Sequence, residues 1–159
     1  MYASSADEST GLLVGVYRGT VLRDEDYELA IGSILACDAN AVKRGLVSTA
    51  VMVTDADTPP PPPIWRQRMA LANNRMCAER YYFAFVSPKM LIRGVFTAVM
   101  WLTRGRSGHH LMAFGDLGQA SAWVQAQAGH TPIEIRRLYE RAVLQASAAD
   151  LAARSARNS

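Results

Sequence analysis

The sequence predicts one α/β domain: a four- to five-stranded, mostly parallel sheet flanked by helices, with an extra C-terminal helix. Three observations predict it. The chain has 159 residues, half of them hydrophobic, which is enough for one real core. Short β-branched runs alternate with segments of helical periodicity in the order β-α-β-α-β-α-β-α-α, the pattern of parallel strands joined by crossover helices. The run Tyr81 to Val86, YYFAFV, shows no polar alternation, as expected for a strand buried on both faces.

The elements follow in order. Residues 1–10, MYASSADEST, are polar and small and read as a flexible tail. Leu12 to Arg18 reads as the first strand. Asp24, Glu25 and Asp26 place negative charge where a helix begins, and Tyr27, Ile31, Ile34 and Leu35 continue at helical spacing to about Asn40. Leu46 to Thr54 is a β-branched strand. Five prolines, Pro59 to Pro63, follow it. They lack backbone donors and favour polyproline II, so they form either a stiff connector or a docking segment for an aromatic groove. Ile64 to Glu79 returns to helical spacing, with Trp65, Met69, Ala72 and Met76 on one side.

After Tyr81 to Val86, Pro88 is placed in the first turn of a helix, where its missing N–H costs nothing. Leu111 to Phe114 is a short fourth strand. Asp116 with Gln119 suggests a capping box for a helix over Leu117 to Ala128. Thr131, Pro132 and Glu134 form a fuller start signal for the last helix, which reads as far as Arg154. Its stripe is Ile135, Leu138, Tyr139, Ala142, Ala146, Ala149 and Ala153, and the alanine-rich part either packs closely on a partner helix or frays. The expected division is a tail over 1–10, a domain over 11–130, and a C-terminal helix with a frayed end over 131–159.

Composition narrows the function. The formal net charge of +3 is mild and no stripe of Lys and Arg interleaved with aromatics occurs, which argues against nucleic acid as a partner. The first residues lack a secretory n-region and h-region. The longest uncharged apolar run, Gly94 to Thr103, is well short of the roughly 20 residues a spanning helix needs, so no stable membrane insertion is expected. Cys37 and Cys77 both fall in expected helices and read as buried free thiols. A reducing cytoplasm fits them.

Against this frame, one set of positions resembles a known family. Ser87-Pro88, Arg93-Gly94 and Trp101, then a short strand ending at Phe114, then Ala120 with Trp123, are similar to the SpoIIAA-like branch of the STAS superfamily. Tyr17-Arg18-Gly19 and the acidic Asp24 to Tyr27 also suit it. The resemblance covers about Leu12 to Ala128. It implies a non-enzymatic STAS/SEC14-like domain that binds a protein partner or a small lipophilic or nucleotide-like ligand. Anti-sigma antagonists of this group are phosphorylated on a Ser at the start of the second helix. Here Asp55-Ala56-Asp57-Thr58 and the prolines stand there, so Thr58 is the only hydroxyl near that place.

No catalytic constellation, metal site or cofactor site emerges. Neither cysteine has a sequence-adjacent histidine, and G-x-S-x-G, G-x-G-x-x-G and Walker A patterns do not occur. His109 and His110 are adjacent and would point to opposite sides of a strand. The loop Asp55 to Pro63 lies at a strand's C-terminal end, where open α/β sheets bind ligands. Asp55, Asp57 and Thr58 are candidates there, or they simply cap the loop.

The helix over Lys89 to Arg104 supplies the main binding candidates. A stripe of Leu91, Val95, Ala98, Val99 and Leu102 is expected to face the sheet. Arg93, Thr97 and Arg104 then lie opposite, bordered by Met90 and Trp101 on one edge and by Phe96 and Met100 on the other. These are residue types enriched at binding hot spots. The two functions expected are a regulatory or protein-interaction module, as a homodimer, and a carrier of a small lipophilic ligand with Phe96, Met100 and Trp101 as a pocket wall.

Overall fold

The computed structural model describes residues 1–101 and 107–157. The chain is α/β, with a five-stranded mixed sheet whose spatial order follows the sequence: β1 (Tyr2–Asp7), β2 (Leu12–Tyr17), β3 (Ser48–Thr54), β4 (Tyr81–Val86) and β5 (His109–Phe114). β1 and β2 are antiparallel, and β2 to β5 are parallel neighbours. Each crossover steps to the next strand in one direction. A constant right-handed turn therefore puts α1 (Asp24–Arg44), α2 (Pro63–Asn73) and α3 (Met90–Trp101) on the same face. α4 (Leu117–Ala128) and α5 (Pro132–Arg157) cover the other face.

Residues 1–10 are not a flexible tail. Tyr2–Asp7 pair with β2, Arg18 N donates to Met1 O at 2.9 Å, and Tyr2 N donates to Asp26 Oδ1 at 2.7 Å. The strand is polar because it lies at the sheet edge, and its one large side chain, Tyr2, is buried. That ring crosses Gly15. A Cβ at position 15 would lie 2.5 Å from Met52 Sδ and 2.7 Å from Tyr2 Oη, so only glycine leaves room for the aromatic. The glycine belongs to the sheet's packing.

The helix starts follow local chemistry. Asp26 accepts Arg23 N at 2.9 Å, Asp116 accepts Gln119 N at 2.9 Å, and Thr131 exchanges hydrogen bonds with Glu134. α1 runs four residues past the expected end, to Arg44, and stops at Gly45 with φ 66. α2 is shorter than expected. It ends at Asn73, and the following turn is held by buried Asp38, which accepts Cys77 N at 2.7 Å and Ala78 N at 3.2 Å. Cys77 is therefore on an exposed loop, not buried in a helix, while Cys37 is half-buried and its thiol is pushed up to about 11 by burial and then by Asp38 and Glu8. Pro88 precedes α3 by two residues instead of lying in its first turn.

Two cores result. The α1–α3 face is aromatic, with Tyr17, Tyr27, Trp65, Tyr81, Phe83 and Phe85. The α4–α5 face is aliphatic, with Leu12, Val14, Val51, Val124, Ile135 and Leu138. α5 belongs to this second layer and packs on β1 and β2 through Ile135, Leu138, Ala142 and Ala146; Ala149 is exposed. His130, buried beside Thr49 Oγ1 at 3.1 Å, is kept below the ordinary histidine range by burial.

Gly15→Ala is expected to destabilise the domain by about 1–3 kcal/mol, the usual cost of overpacking a tight core. Urea denaturation measures it. An unchanged midpoint would show that Tyr2 does not lie across the strand.

Candidate functional site

The aromatic face does not close completely on its three helices. Between α1, α2, α3 and strands β2–β5 lies a cavity of about 80 Å³. Each element supplies a distinct part of the wall. The sheet floor is Met52, Tyr81, Phe83 and Phe85; α1 contributes Tyr27, Ala30, Ile31 and Ile34. α2 and its following turn contribute Met69, Ala72 and Met76, and α3 contributes Ile92, Phe96, Val99 and Met100. Pro59 and Pro61 complete one end, so the proline run is part of the wall. Four of the seven methionines line this space.

The chemistry of the wall is apolar. Among the described residues it contains no carboxylate, imidazole, thiol, ammonium or guanidinium. Its threonine hydroxyls are committed: Thr54 Oγ1 donates to Val86 O at 3.3 Å, and Thr58 Oγ1 contacts Asp55 Oδ1 at 2.7 Å and Tyr17 O at 3.2 Å. Burial holds the Tyr17 and Tyr81 phenols well above their ordinary range, so they stay neutral. Tyr27 is pushed up to about 12 by burial and then by Asp26 and Asp24.

The candidates on α3 divide. Phe96 stacks on Phe85 with ring centroids 4.4 Å apart and on Phe83 at 5.4 Å, and it faces the cavity with Met100. The buried face of α3 is Ile92 and Val99, with Phe96 packed beside them. The expected sheet-facing stripe is therefore corrected: Leu91 is 73% exposed and Ala98 is also exposed. The true face is rotated by about one residue, roughly 100°. The cause is the Phe83–Phe85 floor, which selects Phe96 as the inward residue.

Arg93 Nη1 donates to Ser87 O at 2.7 Å and to Pro88 O at 3.1 Å, and Thr97 Oγ1 donates to Arg93 O at 2.9 Å. Both polar candidates thus brace the start of α3. Met90 is 76% and Trp101 82% exposed, so Trp101 is outside the cavity wall to which it was assigned. Arg104 and Leu102 lie outside the described residues.

The loop after β3 is organised by Asp55. Its Oδ1 accepts Asp57 N, Thr58 N and the Thr58 hydroxyl, and its Oδ2 accepts Gly19 N at 3.0 Å. Thr58 is 2% exposed, so a kinase would reach its hydroxyl only after this loop opened. Asp57 is exposed and serves the turn through its N–H, which donates to Asp55 Oδ1 at 3.0 Å. Partial burial pushes the Asp55 carboxyl up, but the Thr58 hydroxyl and the Gly19, Asp57 and Thr58 N–H groups outweigh it and hold the carboxyl below its usual range. No group of three or more metal-ligating side chains occurs among the described residues. No described helix is long and apolar enough to cross a membrane.

Sequence reasoning located Phe96 and Met100 but missed the contributions of α1, α2 and the prolines. The signal present in the sequence was the methionine content of Met52, Met69, Met76 and Met100, spread over four elements. Comparison of the chain with protein-family models, with curated proteins and with solved structures gave no match.

Asp55→Ala is expected to cost about 1–3 kcal/mol by removing the charged acceptor of Thr58 N, the Thr58 hydroxyl and the Gly19 and Asp57 N–H groups. Because the folded carboxyl is held low, its contribution is complete above the unfolded value near 3.9 and is lost as pH falls through the lowered folded value. Denaturation midpoints from pH 7 down to pH 2 should therefore converge for Asp55→Ala and the parent chain. A constant gap at every pH would contradict this role.

Proposed function

We propose that this chain is a non-catalytic binding module of the SpoIIAA-like STAS type that takes a small, uncharged, apolar ligand between its aromatic sheet face and α1–α3. The cavity carries the reading: its wall offers apolar contact from every side and no ion partner for a charged ligand. Methionine favours such a role because its unbranched thioether adapts to different shapes. The α/β architecture and the Arg93 brace across Ser87 and Pro88 support the family reading, since they give that sequence spacing a structural purpose. The size of the cavity suits a compact hydrocarbon or the end of one chain, and a whole two-chain lipid would need the helices to part.

A second reading, as a protein-interaction module acting in the cytoplasm, is favoured by the exposed apolar side chains of α3. Met90, Leu91 and Trp101 are all more than two-thirds exposed. Patches of this kind mark interaction surfaces.

Thermal unfolding with and without n-octanol tests the first reading. Octanol is expected to raise the midpoint, and decanoate, which carries a charge, to raise it less. Ala72→Leu fills the cavity, so it should raise the midpoint alone and remove the response to octanol. Native mass spectrometry of protein purified from its host should show a neutral hydrophobic adduct. Absence of both the octanol response and the adduct would contradict the proposal.

A further inference from the structure

We infer that the outer faces of α2 and α3 adsorb to the surface of an anionic lipid bilayer, their exposed apolar side chains entering the headgroup layer and their basic residues meeting lipid phosphate. Two features of the surface carry this, and neither depends on the ligand reading. The first is the phase of the helices. Leu91, Gly94, Ala98 and Trp101 are exposed and recur at helical spacing, with Met90 beside them, so they form one uncharged stripe along α3. Ile92 and Val99, the buried residues of the same helix, lie roughly opposite, so the stripe points away from the sheet. α2 is the neighbour of α3 and presents Ile64 and Leu71 about two turns apart. Ile64, Leu71, Met90, Leu91 and Trp101 are 53 to 82% exposed, so two adjacent helices turn large apolar side chains into solvent.

The second feature is charge. The mild net charge of +3 conceals a division of the chain. Residues 58–115, which build α2, β4, α3 and β5, contain eight Arg and Lys and a single carboxylate, Glu79, whereas the remainder contains nine Arg and Lys and thirteen Asp and Glu. Helices that join parallel strands run back against them. Arg75, just beyond α2, and Lys89, just before α3, therefore sit at opposite ends of the helix pair, and both are exposed. Among the described residues, the one ion pair of this stretch joins Arg68 to Glu28 of α1 at 3.7 Å. Arg93 donates to carbonyl groups, which leave its charge in place. The acidic start of α1, Asp24 to Asp26, belongs to the helix on the far side of α2 from α3.

An anionic bilayer complements both features at once. Aliphatic side chains and Trp beside Arg and Lys are the composition of helices that lie in the membrane interface, where apolar groups leave water and basic groups meet anionic headgroups. Trp suits that depth because its ring is apolar and its N–H polar. A nucleic acid would compensate the charge through its phosphates but would leave Ile64, Leu71, Met90 and Leu91 in water. The contact is adsorption, since no described helix is long and apolar enough to cross a membrane.

Sedimentation of the full chain with sucrose-loaded vesicles tests the inference. Recovery is expected with vesicles of phosphatidylcholine and phosphatidylglycerol, and not with phosphatidylcholine alone. Affinity should fall on the order of tenfold as salt rises from about 0.1 to 1 M and the screening length shrinks from about 10 to 3 Å. Leu91→Asp places a carboxylate in the first turn of α3, where the helix end favours it. The thermal midpoint and the response to octanol should persist in this variant while vesicle affinity falls about tenfold or more. Lys89→Ser should weaken binding about fivefold, the share of one basic residue near an anionic surface. Failure to sediment with any vesicle, equal recovery with the uncharged lipid, full binding by Leu91→Asp, or tighter capture by a DNA oligonucleotide or polyglutamate than by vesicles would each overturn the inference. The octanol response is measured without vesicles, so failure of this inference and failure of the cavity reading are separately visible.

Discussion

The stack of Phe96 on Phe83 and Phe85 fixes the rest of this structure. The planes lie within 16° and 12° of parallel, and the closer ring is 4.4 Å away. Such contacts contribute about 0.5–1.5 kcal/mol beyond the area they bury. Their larger consequence is rotational. α3 is apolar nearly all round, so amphipathicity alone does not set which side meets the sheet. The phenylalanines of β4 do. Once Phe96 is inward, Ile92, Val99 and Met100 follow it, and Met90, Leu91 and Trp101 are left in solvent.

The same rotation creates the space beneath the helix. Bulky rings on the sheet hold α1, α2 and α3 away from its surface, and the gap is finished by flexible methionines instead of by close-fitting branched residues. At about 24 cal/mol per Å³, leaving 80 Å³ empty costs roughly 2 kcal/mol. That is a large part of a total stability of about 5–15 kcal/mol. A ligand that occupies the space recovers this term, which gives the domain a physical reason to bind one. The opposite face of the sheet shows the contrast: Leu, Val, Ile and Ala side chains of α4 and α5 bury closely there.

Much of the architecture was legible in the sequence. Uninterrupted apolar runs marked β4, and cap chemistry at Asp116 and Thr131 located the starts of α4 and α5 to the residue. The edge strand β1 was not legible, because YASSAD has a single large apolar side chain and owes its conformation to Gly15, Arg18 and Asp26 far along the chain. The phase of α3 was not legible either, since the choice between Leu91 and Ile92 as inward residue rests on contacts with β4. For the site, Phe96 and Met100 were legible as members of an unusually apolar helix. Tyr27, Ile34, Pro59 and Met76 join them only through the winding of the fold, and no periodicity within one element could bring them together. Arg93 and Thr97 illustrate the reverse case: polar residues that look like surface groups on a helical wheel are spent on the backbone at the start of α3.

Crystals of the ligand-free protein exposed to xenon under pressure test the central claim most directly, because xenon enters apolar cavities and avoids filled cores. Anomalous density is predicted between Met52, Phe83 and Phe96, in the space under α3. A xenon-free interior, with the methionines of α2 and β3 closed against the phenylalanine stack, would contradict the existence of a ligand-ready cavity and the function built on it.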